Sequence, residues 1–180
     1  MENLNDQKRP TKILIMGLDN SGKTSILISL RKDANILSYF SLRPTIGIAI
    51  EKFEDQNVVC WDLGGQEKYR EEHIKNLGNY VKKTDKIIFV IDVQDIKRFQ
   101  QALGYLKLVV ENLYKLNLNI DFSIFLHKYD PNLNRLDKFK DIDKIIESKL
   151  VSEIRKIIQS KFKYDLFKTT IYTVFEKTSY

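Results

Sequence analysis

The stretch GLDNSGKTS, residues 17–25, follows the apolar residues Ile13, Leu14, Ile15 and Met16 and leads into Ile26, Leu27 and Leu30. Gly17, Gly22, Lys23 and Thr24 satisfy G-x-x-x-x-G-K-[ST], a pattern that chance produces in roughly one chain in a few hundred of this length. Its place between a strand and a helix sharpens it. There the backbone N–H groups of Asp19, Asn20, Ser21, Gly22, Lys23, Thr24 and Ser25 can surround phosphate oxygens at the positive end of the helix. Lys23 is expected to reach the outer phosphates, and the Thr24 hydroxyl to ligate Mg²⁺. A plain strand-to-helix turn needs none of these residue types.

Outward from this loop, apolar periodicity alternates between strands and helices, the pattern of a mostly parallel sheet covered on both faces. Strands are predicted at 12–16, 46–53, 57–63, 86–92, 122–127 and 162–171. The second and third, joined by the turn EDQN (54–57), are predicted to be antiparallel neighbours. Helices are predicted from the glycine loop to about Leu30, over 94–116 and from Leu136 to about Ser160. Ile96, Phe99, Leu103, Leu106, Val110 and Leu113 make the second of these amphipathic; Phe139, Ile142, Ile146, Leu150, Ile154 and Ile157 do so for the third. The last nine residues allow only a short terminal helix. Residues 1–10 read as a polar extension, and 11–180 as one domain.

Composition agrees with a folded domain: 180 residues, 43% hydrophobic and 30% charged, with a formal charge of +6. The excess positive charge is interleaved with acid rather than gathered in a block, so nucleic-acid binding is not expected. Cys60 is the single cysteine. Flanked by Val58, Val59 and Trp61, it reads as a buried strand thiol in a reducing, cytoplasmic setting. No apolar run approaches the roughly 18 residues that cross a bilayer, and neither an N-myristoylation nor a prenylation signal is visible, so no direct membrane anchor is expected.

A phosphate loop alone does not separate ATPases, kinases and GTPases. WDLGGQ, residues 61–66, is more discriminating. Asp62 ends a strand, where its carboxylate can hold Mg²⁺ through water, and the two glycines let backbone approach a terminal phosphate. Gln66 has an amide that both donates and accepts, which suits orienting an attacking water.

GLDNSGKT, RPTIG (43–47) and WDLGGQ, in that order, resemble the Arf, Arl and Sar branch of the small GTPases. The resemblance implies the P-loop small GTPase fold: α/β, a mostly parallel six-stranded sheet with one antiparallel edge strand, and helices on both faces. It implies GTP/GDP and Mg²⁺ as ligands, with Thr45 as the switch I threonine on the metal and Gly65 donating its N–H to the third phosphate. By position, Ile48, Trp61 and Tyr80 match the family's apolar effector patch. An activating protein, an exchange factor and effector proteins are the partners that such a switch implies.

Departures from the family pattern are equally specific. The guanine-reading N-K-x-D is here HKYD: His127, Lys128, Tyr129 and Asp130. Asp130 can still accept from the two adjacent donors of guanine, Lys128 would lie along the base, and His127 can donate one hydrogen bond where asparagine bridges loops. Thr170 and Ile171, in TTI, match the family's second base-contacting loop. HKYD and FVIDVQD (89–95) are similar to the Rag branch, which carries a heterodimer of GTPases, or a scaffold with little hydrolysis, as the alternative. Switch II is longer than in Arf around EEHIKNLG (71–78), and Arf's amphipathic N-terminal helix is absent. Arg43, stiffened by Pro44 and offset from the position of a cis-acting arginine, reads as a surface residue. Hydrolysis is therefore expected to be slow without an activator.

Overall fold

The computed structural model of the chain describes residues 9–158 and 162–172. A six-stranded sheet forms its centre, in the order β2-β3-β1-β4-β5-β6. The strands are β1 (Thr11–Gly17), β2 (Ile48–Phe53), β3 (Val58–Leu63), β4 (Lys86–Asp92), β5 (Asp121–His127) and β6 (Tyr164–Lys168). β2 runs antiparallel to β3 at the edge; every other pairing is parallel. This is the predicted architecture, and β4 has the predicted bounds.

Alternation along the central strands explains why both faces carry helices. Leu14, Met16, Ile87, Phe89 and Ile91 point into the larger core, with Leu103, Leu106, Val109 and Leu113 of α5 (Phe99–Lys115). Ile15 and Val90 point to the opposite face, where Ile26 and Leu27 of α1 (Lys23–Ser29) meet Cys60. A parallel strand with apolar residues on both faces needs a cover on each.

Several predicted bounds are corrected. β2 begins at Ile48 rather than 46, because Gly47 turns the chain at φ +64°. The helix predicted at 94–116 opens as a 3₁₀ turn, Ile96–Arg98, before α5. The predicted last strand, 162–171, is only β6; Phe162 instead packs its ring at 6.3 Å from Phe122. The helix predicted from Leu136 is broken into a 3₁₀ turn (Asp137–Phe139), then α6 (Ile142–Ile146), a π turn (Glu147–Val151) and α7 (Ser152–Ile158). Burial explains the π turn. Ile142, Ile146, Leu150, Ile154 and Ile158 are all buried at a constant spacing of four, which in an α-helix drifts about 40° per step. A wider π turn reverses that drift and keeps the row on the core. Ile158, rather than the predicted Ile157, is consequently the buried end of the row.

Periodicity passes over three short helices: α2 (Ile36–Phe40), α3 (Glu67–Lys75) and α4 (Leu77–Tyr80). α2 is held by a capping box in which the Asn35 side chain accepts from Leu37 N–H at 2.9 Å and Ser38 answers. Residues 67–80, which include EEHIKNLG, fold as α3 and α4. The predicted terminal helix, and most of the N-terminal extension, lie outside the described residues.

Candidate functional site

The ends of β1, β3, β4 and β5 converge on the loop at 17–25, and strand ends of this kind position each polar group of the site. A cavity of about 380 Å³ opens there, lined by Asp19, Asn20, Gly22, Lys23, Thr24 and Ser25. Thr45, Gly65 and Gln66 close it from the other side, and exposed Arg43 stands at its rim. Ser21 faces inward instead, 2% exposed, beneath the loop. A larger cavity, about 590 Å³, lies between α5 and α7, but its Lys107 and Lys156 are paired with Glu111 and Glu153.

Lys23 is 5% exposed and donates Nζ to the carbonyls of Gly17 (3.2 Å) and Leu18 (2.8 Å). Burial lowers its ammonium to about 8, against the opposing fields of Asp62 and Asp19. Two hydroxyls then meet one carboxylate. Thr24 Oγ1 lies 2.6 Å and Thr45 Oγ1 2.8 Å from Asp62 Oδ2, and the hydroxyls are 3.0 Å apart. Asp62 is 1% exposed, with its Oδ1 buried and unpartnered. An all-oxygen set with one carboxylate suits Mg²⁺, which keeps waters and phosphate oxygens for its other positions. The residues present fit that ion.

Gly65 is where the second loop touches the first. A Cβ on it would stand 2.1 Å from Asp19 N, so only glycine allows this approach. Gln66 starts α3 in extended backbone, and its side chain makes no capping bond. Gly64 N–H donates to Gly47 O at 2.8 Å, which joins this loop to the start of β2.

On the far side of Asn20 the remaining motif residues assemble. Lys128 Nζ donates to Asn20 O at 2.8 Å and pairs with Asp92 at 2.7 Å. His127 is 3% exposed, its Nδ1 2.9 Å from Thr169 Oγ1. Its ring fills the space where a Gly22 Cβ would stand, so it spans from the phosphate loop to the TTI segment. Burial, then Lys128, hold its pKa below the ordinary histidine value. Thr170 donates its hydroxyl to Asp130 Oδ1. Ile171 turns its side chain into the smaller core instead.

Ile48, Trp61 and Tyr80 are half-buried against the larger core. Lys12 links the last two: its Nζ sits 3.9 Å from the Trp61 ring centroid and donates to Tyr80 O at 2.6 Å.

Four residues escaped the motif reading. Gln94 contacts Asp130 and Lys128; Arg70 donates to Gly65 O at 2.5 Å; Arg98 donates to Asp19 at 2.9 Å. His73, 1% exposed and edge-on to Tyr80, has an unpartnered Nδ1 and a pKa lowered by burial. Gln94 lay within FVIDVQD and His73 within EEHIKNLG, but neither stretch assigned them a role, and Arg70 and Arg98 carried no signal.

The sheet order, the antiparallel edge pair and the loop at the β1 end define the small GTPase fold. A family model described as the ADP-ribosylation factor family matches residues 1–171, and the chain belongs to that family. ADP-ribosylation factor-like protein 2 of Dictyostelium discoideum is 28% identical over 151 residues, covering 81% of this chain and 77% of that protein. ADP-ribosylation factor F of the same organism is 34% identical over 125 residues, covering 68% of this chain and 62% of that protein. Among solved structures, the Arl6 small GTPase of Trypanosoma brucei, with a bound nucleotide analogue, superposes with a TM-score of 0.66 at 20% identity, covering 89% and 87% of the two chains. The ADP-ribosylation factor-like Sar1 protein of Encephalitozoon cuniculi, in complex with GDP, gives 0.53 at 19%, covering 92% and 71%. Membership makes this chain a GTP-binding switch protein with GTP hydrolysis as its reaction. Among the described residues, no helix is long and apolar enough to cross a membrane.

Proposed function

We propose that the protein is a GTP/GDP switch that hydrolyses GTP slowly and awaits an activating partner. The observation that carries this is the meeting of Thr24, Thr45 and Asp62 within 3.0 Å, because each comes from a different segment: the start of α1 after the phosphate loop, the switch I stretch before β2, and the end of β3 before switch II. A terminal phosphate in the adjoining cavity would hold all three together, and its loss would free the two switches. Thr24, Thr45 and, through water, Asp62 would hold Mg²⁺, which would supply charge neutralisation on the phosphates. Gln66 orients the attacking water, while Lys23 and the N–H groups from Asp19 to Ser25 and of Gly65 stabilise charge on the phosphoryl oxygens. His127, Lys128, Asp130 and the Thr170–Ile171 backbone receive guanine.

Slowness follows from the arginines. Arg70 is held on Gly65 O and Arg98 on Asp19, while Arg43 is exposed at the rim. Arg70 and Arg98 are thus engaged elsewhere, Arg43 stands only at the rim with Pro44 stiffening its approach, and a missing arginine finger costs roughly 10³ to 10⁵ in rate. Exchange factor and effectors would engage the switch loops, the latter through Ile48, Trp61 and Tyr80. Single-turnover hydrolysis on wild type and Gln66→Leu tests the reading. The variant should bind GTP but lose about 10²-fold or more in rate, as expected for a lost water-orienting group. An unchanged rate would remove Gln66 from the chemistry. No hydrolysis by wild type with any activator would favour the paired, Rag-like scaffold instead.

A further inference from the structure

Asp130 can read a base only while its carboxylate keeps one plane, and the fold supplies a brace for it. Gln94 sits just past β4, where its backbone N–H donates to Asp92 Oδ1 at 2.8 Å. Asp92 Oδ2 pairs with Lys128 Nζ. The Gln94 side chain then reaches across to the HKYD loop: Nε2 lies 2.8 Å from Lys128 O and 2.8 Å from Asp130 Oδ2. Both partners accept only, so the amide has one workable orientation, with one N–H on each. Thr170 donates to the other carboxylate oxygen, Oδ1. Each oxygen of Asp130 is thus anchored once from behind, and an ionised carboxylate has about four acceptor sites in all. The remaining sites match two adjacent donors on a base edge, which guanine has as N1–H and the 2-amino group.

We propose that Gln94 is a positioning residue that sets guanine specificity, by holding the Asp130 carboxylate square to the N1 and 2-amino edge. Without it Thr170 alone would hold the group, and the carboxylate could rotate about that single anchor. Rotation costs little for a base presenting one donor, such as hypoxanthine, and most for one presenting two. Gln94 therefore acts on the difference between guanine and hypoxanthine more than on the affinity that both share through their phosphates.

The proposal rests on the guanine-switch reading, and one set of titrations separates the two. GDP and inosine diphosphate would displace a fluorescent guanine nucleotide from wild type, Gln94→Leu and Gln94→Glu, at pH 7.5 and 5.5. Gln94→Leu should keep binding both nucleotides and lose about tenfold or more of the GDP preference, the size of one charge-assisted hydrogen bond. Gln94→Glu sets a second carboxylate against Asp130, beside Asp92 and Lys128. It should bind GDP weakly at pH 7.5 and recover at pH 5.5 relative to wild type, as a proton shared between the two carboxylates restores a donor to Oδ2. A wild-type preference ratio in Gln94→Leu, or no acid recovery in Gln94→Glu, would overturn the assignment. Wild type that binds neither nucleotide would overturn the switch reading itself, and this assignment with it.

Discussion

His127 shows how a single replacement can keep a connection while changing its chemistry. Its ring lies against Gly22 and its Nδ1 reaches Thr169, so the bridge between phosphate loop and base loop survives without asparagine. The cost is a buried imidazole. Its folded pKa, like that of His73, is depressed by burial below the ordinary value of 6.5. A group of this kind contributes stability that is fully present above the ordinary histidine value and is lost as pH falls through the depressed one. Thermal melting should therefore drop between pH 7 and pH 5, and His127→Asn should reduce that drop; an equal drop in the variant would place the titration elsewhere. Asp130 carries a second prediction at this scale. Asp130→Asn replaces an acceptor with an amide and should shift competition binding from guanine toward xanthine nucleotides by about tenfold or more. Unchanged guanine preference would remove Asp130 from the base site. Both residues were legible in HKYD, and Thr170 in TTI, but the contacts between the two segments were not. Thr169 and Thr170 lie 42 and 40 residues away from them, far beyond any local pattern.

Besides the side-chain meeting of Thr24, Thr45 and Asp62, the switch elements are also joined through backbone groups. Gly64 N–H bonds Gly47 O, Gly65 leaves no room for a Cβ against Leu18 and Asp19 of the phosphate loop, and Arg70 of α3 ties back to Gly65 O. α3 is thereby anchored at its first turn, and Gln66 starts it at the cavity wall. Gly65→Ala tests this coupling. Its methyl would stand 2.1 Å from Asp19 N, so the second loop would have to withdraw. Forced displacement of this size costs about 1 to 3 kcal/mol, which is about fivefold to 150-fold in affinity. The variant should lose preference for a non-hydrolysable GTP analogue over GDP while keeping GDP binding; equal loss of both would show that Gly65 serves the fold rather than the switch. The strands were readable from alternation, but α3 and α4 were not, since α3 carries few apolar residues. The π turn between α6 and α7 was hidden likewise, because a spacing of four is compatible with either helix type until burial decides.

For the whole molecule, stability resides in the two-faced sheet. Phe89, fully buried in β4, packs its ring 5.5 Å from Tyr105 of α5 and joins sheet to helix layer. Phe89→Ala should cost about 3 to 5 kcal/mol in urea unfolding; a loss under about 1 kcal/mol would contradict its place in the core. Cys60, 2% exposed with burial raising its thiol to about 11, belongs to the opposite layer as inert filler. The sequence by itself determined the order of the six strands, the helices that flank the first, fourth and fifth of them, the sheet's burial on both sides and the loops proposed to carry phosphate and base chemistry. It could do so because hydrophobic period and motif spacing are local properties. Only the tertiary structure decided which distant groups brace those loops: Gln94 on Asp130 across 36 residues, and Arg98 on Asp19 across 79. Such pairs depend on strand register and on where each helix starts. These emerge only when the strands pair in register and the helices pack on the two faces of the sheet.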